Sequence, residues 1–443
     1  MKLALILSAA LTVSAAVAAS DTLEFLAALD DYPAIRATRS VVAAADVQLD
    51  AIRSPVSATA AGGYARFSQD VPDWYHDLPE EIRELLGLTE ARTASQLELT
   101  VTFRPFLWGD LADAEAQLEL ERARQLATYR ETRARLEVQA IEASQRLSIL
   151  QVALDLAERG VALAEEALDI TGMRLERGAA SSAEYRQAEA RLRDAEAQAE
   201  QAERDAQLSR VALADLVGDA RPPRDVAIPR ITGTPLEVER ARLDLTSAEI
   251  ALASARRDLY PVVQAGYSYN ADGPGSLSVG IESRTLQPTV SYRYQDEPAG
   301  IPGVQARSSF QVGVSLELSD SNFASHDAAR HQLEAAAAGL ELAERSAALE
   351  LQGLHGQSEQ ARRQLALAEH ALSDASRQLE EVTSRLELGI STSLERDQAA
   401  LERDRAAVEL AFAELELTSS ILAYYVFYGV PVSSVLERAE VEP

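Results

Sequence analysis

Apolar residues return at every seventh position through two long stretches of this chain. The first carries Leu147, Leu154, Val161, Leu168 and Leu175, with Leu150, Ala157 and Ala164 in companion positions; the second carries Leu365, Leu372, Leu379 and Leu386, with Ala368, Ala375 and Val382. A sustained seven-residue period predicts helices that supercoil left-handed, and the small alanines let neighbours approach closely. Each stretch stops at a glycine, Gly178 or Gly389, followed by Ser181 and Ser182 or by Ser391, Thr392 and Ser393. That is the chemistry of a helix C-cap, a tight turn and a new N-cap. Return helices follow, again in sevens: Leu192, Ala199, Ala206 and Leu213, then Leu401, Val408, Leu415 and Leu422. At about 1.5 Å per residue, an arm from about Gly109 to Gly178 is on the order of 100 Å long.

The two stretches are copies. An offset of 211 pairs Leu154 with Leu365, Leu168 with Leu379, Gly178 with Gly389, Ala188 with Ala399 and Gly218 with Gly429. Two copies of a long unit imply duplication and pseudo-symmetry rather than a solenoid of short repeats. Between them, "GDARPPRDVAIPRITGTP" holds Pro222, Pro223, Pro229 and Pro235, which no helix interior tolerates.

Ahead of each arm the period changes to two. In "QLELTVTFRPFL", Leu97, Leu99, Val101 and Phe103 alternate with Glu98, Thr100, Thr102 and Arg104; in "SSFQVGVSLEL", Phe310, Val312, Val314, Leu316 and Leu318 alternate with Gln311, Gly313, Ser315 and Glu317. Such strands have one apolar and one polar face, as in a soluble sandwich or a membrane barrel. Aromatic residues, among them Tyr64, Trp74, Trp108, Tyr260, Tyr267, Tyr269, Tyr292 and Tyr294, crowd next to these strands, as in the interfacial girdles of a membrane barrel. One chain's partial barrel has open edges, so closure requires several subunits.

Composition narrows the function. A net charge of −28 argues against nucleic acid as a partner and favours cations or basic partners. The absence of cysteine excludes disulfides, thiolate metal sites, a cysteine nucleophile and a lipid-bearing N-terminal cysteine. Lys2, the apolar stretch Leu3 to Val13 and Val17-Ala18-Ala19 before Ser20 read as an export signal over 1–19. That run is shorter than the roughly 20 residues of a spanning helix, and no later segment is expected to qualify. A chain without such a helix crosses a membrane only as a closed β-barrel. Chemistry has no evident seat: His326 and His331 are five apart, off the i, i+4 face a helical metal pair needs, and "GPGSLSVG" lacks the context of a phosphate loop. No catalytic residue, metal or cofactor is expected.

Taken in order, "DDYPAIR", "SPVSATAAGGY", "RPFLWGD", "RLERGAASSAEYRQAEARL", "YPVVQAGYSY" and "RLELGISTSLERDQAAL" resemble the outer membrane efflux protein family, the TolC family, over nearly the whole mature chain. The resemblance implies a mainly α fold with a membrane β-barrel part. It has two tandem repeats of strand pair plus coiled-coil hairpin, in a homotrimer that forms one outer-membrane barrel and a periplasmic α-barrel tunnel. The segments expected are a signal peptide at 1–19 and a first repeat at 20–218, with strands about 58–107 and hairpin about 109–218. A linker at 219–235, a second repeat at 236–430 with strands about 260–318 and hairpin about 322–429, and a tail at 431–443 complete it. The implied role is a passive exit duct of a tripartite efflux or type I secretion system, set in outer-membrane lipid and docked to a periplasmic adaptor and, indirectly, an inner-membrane pump. A soluble periplasmic coiled-coil adaptor is the alternative; an enzyme is not expected.

The resemblance also assigns residues. An acidic residue six after each turn glycine faces the lumen, giving Glu184 and Glu395. The family's second acidic position is Gln398 here, and its latch positions are Ser391 and Leu386, so that latch does not transfer. Arg174, Leu175, Gly178 and Ser182, with Arg385, Gly389 and Ser393, are the candidate adaptor-docking tips. A further departure is the alternation of Leu277, Val279 and Ile281 and of Val290, Tyr292 and Tyr294, where the first copy has instead "VPDWYHDLPEEIRELLGL", a loop with a short helix. Two extra barrel strands and an extended surface hairpin both fit.

Overall fold

In the computed structural model the described residues are 20–68, 73–86, 91–218, 220, 223, 228–229, 231–270, 275–295, 307–317 and 319–441. The export signal, Pro222 and Leu318 lie outside them. Helix α1 covers 20–27 and continues as a 3-10 turn at Ala28–Asp31. Then come α2 (Pro33–Arg53), β1 (Val56–Ser68), α3 (Asp73–His76), α4 (Glu80–Leu86), β2 (Ala91–Phe103), α5 (Asp110–Glu176) and α6 (Ser182–Val217). The second copy follows as α7 (Leu236–Arg257), β3 (Val262–Asn270), β4 (Gly275–Glu282), β5 (Thr289–Gln295), β6 (Ser308–Ser315), α8 (Asp320–Glu387), α9 (Ser393–Tyr428) and α10 (Val432–Val441). The offset of 211 carries the end of α5 onto that of α8, its start to within one residue, and both ends of α6 onto α9, so duplication is written in the helix boundaries.

The chain divides into two units, one of residues 1–42, 124–242 and 339–443 and one of 43–123 and 243–338. The first is helical. Its core joins Phe25, Leu26, Leu29 and Ile35 to Leu136, Ile141 and Leu147 of α5, Leu213 and Val217 of α6, Leu422 and Tyr425 of α9, and Val432 and Leu436 of α10. Glu137 is fully buried there. It accepts from the Ser433 N–H at 3.0 Å and the Ser433 hydroxyl at 2.6 Å, and it pairs with Arg133 at 2.8 Å, so a charge that burial would penalise is met on three sides. Burial opposes the Arg133 charge, but its hydrogen bonds to Glu137 and Tyr129 outweigh that and raise its pKa. The Tyr425 hydroxyl donates to the Pro229 carbonyl, and burial pushes its pKa up to about 12.

Along the hairpins the stripes of seven fall between neighbouring helices. Leu147 is buried and Leu154, Val161, Leu168 and Leu175 are half-buried. In α9 the deepest stripe is not Leu401, Val408 and Leu415, which are half-buried, but Ala399, Ala406, Ala413, Ser420 and Phe427. Small side chains set the closest approach of two backbones, and the larger stripe lies beside it. Its C-terminal half makes α9 long and apolar enough by length and composition to cross a membrane. The expectation that no later segment would qualify is corrected here, although Leu422, Tyr425 and Phe427 of that helix lie in the core of their unit.

The second unit is built on one antiparallel six-stranded sheet, ordered β1-β2-β5-β4-β3-β6. Both strands of the 275–295 hairpin lie inside it, between β2 and β3. This decides between the two readings of that segment in favour of added strands. Register carries one face across the sheet: Ala60 faces Leu99, which faces Tyr292, which faces Leu277, which faces Tyr269, and Ser308 ends the row on β6. One step along, Ala58, Val101, Val290, Val279, Tyr267 and Phe310 form the next row. The opposite face is polar or small, with Thr59, Thr100, Ser291, Ser278, Ser268 and Ser309 in register. Ser278 and Ser291 hydrogen-bond at 2.5 Å, Ser268 and Ser309 at 2.7 Å, and Glu98 pairs with Arg293 at 3.2 Å. In place of the inserted hairpin the first copy has α3 and α4, where Tyr75 is buried and donates to the Arg83 carbonyl at 2.8 Å.

Candidate functional site

The two helix turns are the places where a tunnel of such hairpins would meet its surroundings, and their backbones match. Gly178 and Gly389 have φ of +70° and +71°, a left-handed conformation that side chains resist and glycine adopts freely. In the first turn the Ala179 N–H donates to the Arg174 carbonyl at 2.7 Å and the Gly178 N–H to the Leu175 carbonyl at 2.9 Å. In the second, the Ile390 N–H donates to the Arg385 carbonyl and the Gly389 N–H to the Leu386 carbonyl, both at 2.9 Å. This crossed pair closes a helix end on an αL glycine. Arg174, Leu175, Arg385 and Leu386 therefore serve their turns through main-chain carbonyls.

The helix that follows starts the same way twice. The Glu184 N–H donates to the Ser181 hydroxyl at 3.2 Å, while the Glu184 carboxylate accepts from the Ser181 N–H at 2.6 Å. Thr392 and Glu395 repeat it at 3.2 and 3.0 Å. This reciprocal arrangement is a capping box. The backbone N–H of Ser181, then its hydroxyl, and the charge of Arg174 hold the Glu184 carboxyl below the usual glutamate range. The spacing S-x-x-E and T-x-x-E was visible in the chain; it gives the duplicated glutamates a structural role that the reading as lumen acids overlooked. Ser182 and Ser393 are the first residues of α6 and α9, one after the capping residues themselves.

A groove of about 1150 Å³ runs between the two hairpins of the helical unit and draws several of the candidates together: Arg174 and Glu184 from one, Arg385, Ser391, Glu395 and Gln398 from the other. Leu175, Gly178, Ser182, Leu386, Gly389 and Ser393 do not line it. Arg159 of α5 pairs with Asp404 of α9 at 2.6 Å, tying one hairpin to the other. Arg385 is instead drawn back to Glu381, one turn earlier on its own helix.

Two functional candidates were missed from the sequence. Leu388 and Ile390 flank Gly389 with 74% and 73% of their surface exposed, whereas the matching positions of the first copy hold Arg177 and Ala179. The signal was a pair of large aliphatic residues at a turn, where solvent-facing polar residues are the rule. Among the described residues no group of three or more histidine, aspartate or glutamate side chains is arranged to hold a metal.

Residues 234–427 match the model of the outer membrane efflux protein family. No curated protein matches the chain by sequence. Among solved structures, a membrane protein from Pseudomonas aeruginosa superposes with a TM-score of 0.65 at 17% identity, covering 94% of this chain and 91% of its own. The CmeC outer membrane channel of Campylobacter jejuni gives 0.63 at 14% identity, over 96% and 89%. The outer membrane protein VceC of Vibrio cholerae gives 0.63 at 19%, over 91% and 95%. The same fold is thus shared across almost the entire length. With its duplicated hairpins and one-faced sheet the chain shares the fold of these outer membrane channels, and its second repeat is similar to the outer membrane efflux protein family.

Proposed function

We propose that this chain is the outer-membrane exit duct of a tripartite efflux or type I secretion system. It is a passive conduit with no catalytic role, and its transport energy comes from a partner pump. The observation that carries this reading is the sheet. The sheet places Leu99, Tyr267, Leu277, Val279, Tyr292, Phe310 and Val312 exposed on one face and a row of hydroxyls on the other, with the edges β1 and β6 open. In water such a face is a liability; in lipid it is the outer wall of a barrel, with the polar face turned to the lumen. A soluble adaptor has no use for it.

Three copies then close the barrel, and the helix turns form the periplasmic mouth. There Glu184 and Glu395, joined by Gln398, line the entrance and favour cations, while Leu386 and Ser391 replace the family's latch with an apolar and a small polar residue. The turn surfaces around Arg174, Leu175, Gly178, Ser182, Arg385, Gly389 and Ser393 receive the adaptor, and Leu388 and Ile390 supply the apolar part of that contact. Membrane fractionation tests the reading: the mature chain should leave the outer membrane only with detergent and then run as a trimer by native mass. Release as a monomer with the soluble periplasmic contents would overturn it.

A further inference from the structure

We infer that the shared barrel of this protein has eighteen strands, six from each of three copies, because the inserted β4–β5 hairpin is a wall element and not a surface excursion. The inference rests on the trimeric duct proposed above and adds the composition and width of its membrane part.

Four observations place the hairpin in the wall. It is hydrogen-bonded on both sides, with β5 against β2 from Thr102↔Thr289 to Gln96↔Gln295, and β4 against β3 from Gln264↔Glu282 to Asn270↔Ser276. Its side chains keep the two-faced pattern of its neighbours: Leu277, Val279, Tyr292 and Val290 on the apolar side, Ser276, Ser278, Ser291 and Arg293 on the polar side. Arg293 also meets Glu98 of β2 across the polar face, a pairing that only direct adjacency permits.

The fourth is an anchor at the turn between β4 and β5. The Asp110 N–H donates to the Arg284 carbonyl at 3.3 Å, and the Phe103 N–H to the Pro288 carbonyl at 2.9 Å. Gly109, with φ of +58°, lies so close that an added Cβ would sit 2.0 Å from the Arg284 carbonyl oxygen. The Arg284 side chain pairs with Asp258 and, at 3.5 Å, with Asp110. The strand-to-helix corner of the first copy is shaped around the inserted turn.

The edges fit a second copy of the same chain. Five antiparallel junctions leave β6 running opposite to β1, so β6 of one copy set beside β1 of the next continues the alternation without a parallel seam. An eighteen-stranded closed sheet falls in the class that leaves an open aqueous channel. Barrel diameter grows roughly in proportion to strand number, so this wall is about 1.5 times wider than the twelve-stranded wall that two strand pairs per copy would give.

Paired cysteines decide the matter cleanly, since the chain has none of its own. Facing residues in an antiparallel pair lie within disulfide reach. Thr59→Cys/Thr100→Cys, across β1 and β2, is the control shared by every arrangement. Thr100→Cys/Ser291→Cys and Leu99→Cys/Tyr292→Cys report β2 beside β5, one of the two being a non-hydrogen-bonded pair. Thr100→Cys/Ser268→Cys reports β2 beside β3, as a four-stranded sheet would place them. Oxidation in isolated outer membranes should link most chains in the control and in at least one β2–β5 variant, and almost none in the β2–β3 variant. A linked control with an unlinked β2–β5 set, or a linked β2–β3 pair, overturns the eighteen-stranded wall while leaving the duct intact. Monomers on unheated gels beside a formed β2–β5 disulfide would instead sink the trimer beneath it, and the count of eighteen with it.

Discussion

The first and second helix turns share a backbone and differ in surface. Both close on a left-handed glycine with the same crossed hydrogen bonds, and both restart with a capping box that begins three residues on. Around that common frame the first turn presents Arg177 and Ala179, the second Leu388 and Ile390. Backbone geometry is what a turn needs in order to exist, so duplication preserved it through Gly178 and Gly389, Ser181 and Thr392, Glu184 and Glu395. The side chains beside the glycine are unconstrained by the turn. An exposed pair of aliphatics there costs solubility and returns nothing to the fold, which points to a partner that covers them.

The comparison breaks most sharply at those side chains. Replacing Leu388 and Ile390 together by aspartate should weaken association with the adaptor by at least about 100-fold, since each buried aliphatic contributes about 1.5–3 kcal/mol and about 1.4 kcal/mol is a tenfold change. The same change at Arg177 and Ala179 should have a far smaller effect. Binding measured against immobilised trimer checks this, and equal losses at both turns would remove the distinction. Next in size, Gly178→Val and Gly389→Val should each cost about 1–2 kcal/mol, because both force a β-branched residue into the left-handed region. Chemical denaturation should give similar values for the two, and a cost at one alone would end their equivalence.

Ser181→Ala and Thr392→Ala should each cost about 1 kcal/mol through the lost cap. The smallest effects belong to the glutamates. Glutamine can still accept the capping hydrogen bond but lacks the charge, so Glu184→Gln and Glu395→Gln should cost less stability than loss of the cap and lower cation over anion permeability in a planar bilayer; unaltered selectivity in both would remove the lumen role. The Glu184 carboxyl is held below its ordinary value in the folded turn. Its contribution is therefore present above the ordinary glutamate range and is lost as pH falls through the lowered value. Hydrogen exchange at the start of α6 should rise in acid, and Glu184→Gln should abolish that dependence.

Much of this was legible beforehand. The seven-residue stripes, Gly178, Gly389 and the serine-rich turns located both hairpins, because helix period and capping are local properties of sequence. Period-two alternation likewise placed the strands at Leu97–Phe103 and from Phe310 onward, although the second strand ends at Ser315, before Leu316 of the alternating run. What stayed open was anything that depended on neighbours. The alternation of Leu277, Val279 and Ile281 is the same in a wall strand and in a surface hairpin, and only the pairing with β2 and β3 separates them. In α9 the leucine stripe stood out in the chain, yet the alanines at 399, 406 and 413 lie deeper, because burial is set by how closely the adjacent helix can come.

By itself the sequence determined the duplication, the long hairpins, their glycine turns and the two-faced strands, since each follows from periodicity or from conformations that particular residues favour. Tertiary structure alone decided that six strands share one sheet, that the corner at Gly109 receives the Arg284 turn, and that Glu137 is met by Arg133 and Ser433. Those outcomes join residues far apart in the chain, and a pairing at long range leaves no period in either partner from which it could be read.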